Sequence, residues 1–193
     1  MSSAPRLFLA VELPLAMRRA LAPPLRQLAA SDPDLRPVRP DGLHITLRFL
    51  GRVEPDREGA VQAVASQVAA ATQPFPMSLE KIGTFPKGSH PRVLWVGVGE
   101  GRREISNLAD SLQAGLAAEG WGPVPSPYRA HCTLARLPEG LSPGAAKALV
   151  DFCARDLGPL CSAIDFVALL ESVPVLRGPN RYPRRARWRL GRA

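Results

Sequence analysis

Pro40-Asp41-Gly42-Leu43-His44-Ile45-Thr46-Leu47-Arg48-Phe49-Leu50 has an echo in Pro127-Tyr128-Arg129-Ala130-His131-Cys132-Thr133-Leu134-Ala135-Arg136-Leu137. The two stretches agree at Pro, His, Thr, Leu and the final Leu, and together they hold two of the chain's 3 histidines. Leu43–Leu50 and Tyr128–Leu137 each read as a strand. Side chains along a strand alternate between faces, so His44 and Thr46 share one face while Ile45 and Leu47 take the other. His131 and Thr133 do likewise, with Cys132 and Leu134 turned inward. Two equivalent strands imply a duplicated lobe about a pseudo-two-fold axis. Residues 1–193 are expected to form a single bilobal domain, with half-motifs at 44–47 and 131–134.

Working outward, Arg6–Glu12 reads as a strand closed by Pro14. A helix begins at Leu15, and Pro23-Pro24 is expected to break or restart it before Ala29. Ser31–Asp41, with Pro37 and Pro40, reads as a loop. Asp56–Thr72 places Val61, Val64 and Val68 at helical core spacing. Met77–Phe85 and Arg92–Val98 read as strands joined by a turn around His90. Arg102–Glu119 carries the clearest amphipathic stripe, through Ile105, Leu108, Leu112 and Leu116, and Gly120 closes it. A further helix at Pro143–Leu157, one strand at Ala163–Ser172 and a basic hairpin-like tail at Tyr182–Leu190 complete the pattern. Strands and helices mixed in this way predict an α+β fold. No glycine-rich loop follows a strand, so the sequence offers no dinucleotide or P-loop motif.

Composition narrows the chemistry. With 46% hydrophobic and 22% charged residues, the chain can bury a core without staples. Its 25 basic and 17 acidic residues give a net charge of +8, carried mostly by arginine. Arginine suits phosphate oxygens, although a GC-rich genome produces the same enrichment. The cysteines, Cys132, Cys153 and Cys161, form no CxxC pair, which fits a reducing cytosol. The apolar run Leu7–Val11 stops at Glu12, too short for a signal peptide or a membrane span. A cytoplasmic monomer without a membrane segment is expected.

Two His-x-Thr strands facing one cleft present two imidazoles and two hydroxyls. Phosphodiester hydrolysis needs a base to take a proton from water and an acid to protonate the departing oxygen, and histidine serves both roles near neutrality. Threonine hydroxyls donate to non-bridging phosphate oxygens, though threonine also simply favours strands. Metal ligation is the rival use for histidines. Zinc usually takes at least three protein ligands, and neither HExxH nor CxxC is present, so no metal or other cofactor is expected. Period two would bring Arg48 onto the His44 face. Phe85 and Tyr182, aromatics near strand ends, suit either base stacking or core packing. The tail arginines Arg181, Arg184, Arg185, Arg187 and Arg189 suit an RNA backbone or a solvated edge strand.

These motifs resemble the two-histidine (2H) phosphoesterase superfamily, and more narrowly its RNA 2′,3′-cyclic phosphodiesterases, also called 2′-5′ RNA ligases. Besides the two His-x-Thr strands, the resemblance rests on Arg6–Pro14, on Pro91–Gly97 and on the Leu170–Tyr182 element. It implies antiparallel sheets lining a central cleft with helices outside, and hydrolysis of RNA 2′,3′-cyclic phosphate ends to 2′-phosphates. It further implies that His131 is the base, that His44 is the acid, and that Arg136, at the strand end where alternation breaks, contacts phosphate or substrate. Ala130 stands where the family commonly has proline, a change that removes no chemical group. Two alternatives stay open: a non-catalytic RNA-binding module, and a 2H phosphodiesterase acting on small cyclic nucleotides or 2′-5′ oligonucleotides. Nucleotide-independent 2′-5′ ligation is the reverse chemistry of the same site.

Overall fold

The computed structural model describes residues 4–32, 35–88, 90–123, 127–158, 160–176 and 178–192. Nine strands appear among them: β1 (Arg6–Glu12), β2 (Arg36–Pro37), β3 (His44–Arg52), β4 (Phe75–Phe85), β5 (Val93–Val98), β6 (His131–Arg136), β7 (Leu160–Ile164), β8 (Phe166–Glu171) and β9 (Arg184–Arg189). The helices are α1 (Leu15–Ser31), α2 (Pro55–Ala71), α3 (Arg102–Ala118) and α4 (Pro143–Cys153), with a 3-10 turn at Pro40–Gly42.

The strands run in the order β7-β4-β5-β6-β3-β1-β8-β9, every pairing antiparallel, and the short β2 lies on β6. The sheet therefore has two four-strand halves. Among the described residues, strands of the two halves pair only at the centre, where β3 meets β6 through Ile45↔Cys132. Both His-x-Thr strands are central, side by side and antiparallel.

Alternation along β1 decides which face is which. Leu7, Leu9 and Val11 enter the main core with the apolar stripes of the helices, among them Leu21 and Leu25 of α1, Ile105 and Leu112 of α3, and Phe152 of α4. Phe8 and Ala10 point the other way and form a small cluster with Ala168 and Leu170, against which Tyr182 packs. The helices thus cover one face of the sheet, and the opposite face is left to line a cleft. Among the described residues no helix is long and apolar enough to cross a membrane.

Two expectations from the sequence need correction. Helix α1 runs through Pro23 and Pro24 without a break, because Met17, Leu21, Leu25 and Leu28 form one buried stripe whose packing outweighs two missing backbone donors. The stretch expected as one strand, Ala163–Ser172, divides at Asp165. Its first part pairs with β4 and its second with β1, so the two pieces lie in opposite halves of the sheet.

Candidate active site

His44 and His131 are held in the same way. Each Nδ1 lies 2.7 Å from the carbonyl oxygen two residues earlier, Gly42 for His44 and Arg129 for His131. An Nδ1–H that donates to a carbonyl fixes the tautomer and turns Nε2 outward as the working nitrogen. Gly42 also makes room for a neighbour. A Cβ there would stand 3.0 Å from the Tyr182 ring.

The rings rest on different aromatic walls. His44 packs against Phe8 and Tyr182, each ring centroid 4.8 Å away, and those two rings meet edge to face at 5.7 Å. His131 stands edge-on to Phe85 at 5.3 Å and to Trp95 at 6.4 Å, and those two rings stack on each other at 4.9 Å. The Trp95 indole lies over Gly83, where a Cβ would be 2.5 Å from the ring. Any larger residue at position 83 would displace the wall behind His131.

Burial pushes the His44 imidazole down to about 4, the largest influence on it. The Gly42 carbonyl and the Glu12 carboxylate oppose this, while Arg136 and His131 add to it. Glu12 stands directly across from His44 in the β1–β3 pair, and Arg184 grips it with two hydrogen bonds of 2.8 and 2.9 Å. Cys132, beneath the site, is buried and its thiol is pushed up to about 12 by that burial.

A matched irregularity shapes the rest. The β1–β3 register slips so that Leu9 faces Arg48 and Ala10 faces Thr46. The β5–β6 register slips at the equivalent place, Leu94 facing Ala135 and Trp95 facing Thr133. Each slip puts an extra residue in the histidine strand, a bulge that reverses the alternation beyond it. Thr46 and Thr133 precede the bulges and stay on the face of their histidines. Arg48 does not reach that face as period two suggested. It is buried, its guanidinium donates to the Gly122 carbonyl, and among the described residues its Nε has no partner. Phe49, 62% exposed, takes the position instead, 5.4 Å from Phe8. Arg136 is the corresponding residue of β6, exposed and close enough to act on His44.

Because β3 and β6 are antiparallel, the cleft has two unlike ends. At the His44 end lie Arg136 and Tyr182, which line a recess of about 370 Å³. At the His131 end, Phe49, Phe85 and Tyr128 line a more apolar recess of about 490 Å³ together with Thr46. The site thus brings together His44, His131, Thr46, Thr133, Arg136, Phe85 and Tyr182. Phe8, Glu12, Phe49 and Trp95 join them without having been expected; Phe8 and Glu12 were readable, since both fall on one face of the first strand. Most of the basic tail is engaged within the protein: Arg184 with Glu12, Arg185 with Glu58 and Glu171, and Arg187 over the Phe166 ring at 3.5 Å. Among the described residues, no three His, Cys, Asp or Glu side chains group as metal ligands do.

The profile of the 2′-5′ RNA ligase superfamily matches residues 17–173, from α1 past the end of β8. The chain belongs to the 2′-5′ RNA ligase superfamily. Both His-x-Thr strands fall inside the superfamily match. An RNA 2′,3′-cyclic phosphodiesterase of Archaeoglobus fulgidus is 32% identical over 174 residues, 90% of this chain and 94% of that protein. One of Escherichia coli K12 is 33% identical over 139 residues, 70% of this chain and 74% of that protein. Among solved structures, a Thermus thermophilus protein superposes with a TM-score of 0.78 at 27% identity, covering 96% of this chain and 98% of its own. Escherichia coli LigT complexed with 3′-AMP gives 0.72 at 28% identity, with the same coverage of 96% and 98%. The superfamily fold is therefore shared over nearly the whole chain.

Proposed function

We propose that this protein is an RNA 2′,3′-cyclic phosphodiesterase that opens the terminal cyclic ester to a 2′-phosphate, with His131 as base and His44 as acid. The observation that carries the reading is the matched pair of imidazoles, each tethered through Nδ1 to the carbonyl two residues back, on adjacent antiparallel strands in one cleft. The names of the A. fulgidus and E. coli relatives support the substrate class.

Water attacks phosphorus and gives a proton to Nε2 of His131. The bond from phosphorus to O3′ breaks, and Nε2 of His44 protonates that oxygen. Thr46 and Thr133 donate to the non-bridging oxygens as charge gathers there, and Arg136 adds a positive field. Solvent returns a proton from His131 to His44 between turnovers. The bound anionic diester raises the proton affinity of His44, opposing the burial that keeps the ring neutral in the free protein.

A second use of the site is favoured by the apolar recess at the His131 end. A nucleoside stacked there on Phe49 or Phe85 would offer its 5′-hydroxyl in place of water, and the same proton transfers would then form a 2′-5′ linkage without ATP.

The test is hydrolysis of a short RNA ending in a 2′,3′-cyclic phosphate, with EDTA present throughout. Wild type should yield the 2′-phosphate at the same rate with or without the chelator. His131→Ala and His44→Ala should each lose on the order of 10²–10⁴ in rate. The double variant should lose far less than the product of the two, since the pair acts as a unit. A 3′-phosphate product would overturn the choice of leaving oxygen. RNA binding without turnover would replace the enzyme with a binding module.

A further inference from the structure

The recess at the His44 end holds a second arginine, Arg36, that the proposed opening of a cyclic phosphate does not use. Arg36 of β2 stands directly across from Arg136 of β6. Directly opposed residues of an antiparallel pair share a face, and like charges so placed destabilise the pairing. Among the described residues neither guanidinium has an ion-pair or hydrogen-bond partner, whereas nearby Arg39 and Arg92 are neutralised by Asp41 and Glu139. Arg36 and Arg136 both line the recess of about 370 Å³, whose wall continues through Asn180 to Tyr182 and so to the His44 ring. Two unneutralised arginines on one wall of a recess form a site for an anion.

The direction of the cleft says which anion. On the proposed reaction, O3′ leaves toward His44, so the ribose lies at that end and its 5′ carbon leads away from His131 toward Arg36. The next phosphate along the substrate is then the one on the terminal nucleotide's own 5′ oxygen. We propose that Arg36 and Arg136 hold this 5′-phosphate, so that the protein selects an RNA end over a free nucleoside 2′,3′-cyclic phosphate. The inference rests on the hydrolysis reading above.

The experiment compares kcat/KM on adenosine 2′,3′-cyclic phosphate, on its 5′-phosphorylated form, and on the dinucleotide ApA ending in the cyclic phosphate. In wild type the 5′-phosphate alone should raise kcat/KM about tenfold, chiefly through KM. Arg36→Gln should bring that ratio close to one, and Arg36→Lys should restore part of it. Arg103→Gln, which removes an exposed charge from α3 on the helical side, should keep the full ratio. Arg36 is exposed, and an unchanged melting temperature would show that its variants fold. Equal efficiency on all three substrates, or a ratio that survives Arg36→Gln, overturns this inference and leaves the hydrolysis reading standing. Failure of wild type to hydrolyse any of them overturns that reading and this inference with it.

Discussion

His44 is the residue whose environment departs most from what its sequence position announces. Period two assigns it and Thr46 to one face, and the same rule places His131 and Thr133. No such rule reports that the His44 ring packs against Phe8 and Tyr182, or that burial pushes its proton affinity down to about 4. The proposed pair works with one proton shared between two rings, and in the free protein a further proton reaches His44 only as pH falls through about 4. The acid limb of kcat/KM should lie there. The limb of kcat should lie at higher pH, because the bound diester's charge favours the protonated ring. Coincident limbs would show that the diester does not sit against His44. Stability follows from the same shift. The unfolded chain takes up a proton near the ordinary value of 6.5 and the folded chain does not, so folding weakens as pH falls from 6.5 toward 4. Comparing wild type with His44→Asn by urea unfolding, wild type should lose up to about 3 kcal/mol relative to the variant between pH 7 and pH 4. An unchanged difference would mean that the ring is hydrated.

At the level of elements, the expectations that held rest on periodicity and the failures occur where two signals compete. Helix α3 is legible because Ile105, Leu108, Leu112 and Leu116 repeat at helical spacing and all are buried. Helix α1 carries its own apolar stripe, but the local prolines contradict it, and the tertiary contacts decide. Its Pro24 lies mid-helix and lacks the donor that would reach the Ala20 carbonyl. Pro24→Ala should therefore stabilise the fold by about 1–3 kcal/mol, less whatever entropy proline removes from the unfolded chain. A lower melting temperature for Pro24→Ala would show that the ring packs productively where it is. Bulges are harder to read. Leu47-Arg48 and Leu134-Ala135 contain neither glycine nor proline, so no turn signal announces either bulge; the alternation ends visibly at Arg136, but nothing local shows that Phe49 will turn into the cleft. The division at Asp165 is hidden for a similar reason. Its flanks form one apolar run, and only the separate partners β4 and β1 reveal two strands.

At the scale of the molecule, the two halves of the sheet share one strand contact, and the proposed reaction needs both halves because each supplies one histidine. The duplicated motif made two related strands legible; it could not show that Ile45↔Cys132 is their meeting point. Cys132 therefore reports on the seam. Its side chain is buried against the backbone of His44, and burial holds the thiol up at about 12, so the reactive thiolate is scarce at neutral pH. Cys161, exposed on β7, provides an internal standard. In native conditions a thiol reagent at pH 8 should label Cys161 promptly and leave Cys132 untouched. Protection of Cys132 should then fall with urea along the same curve as global unfolding, because freeing that thiol requires parting β3 from β6. Labelling of Cys132 well below the unfolding midpoint would mean that the halves separate while each stays folded. In that case the distance between the two histidines would be set by a hinge rather than by the continuous sheet.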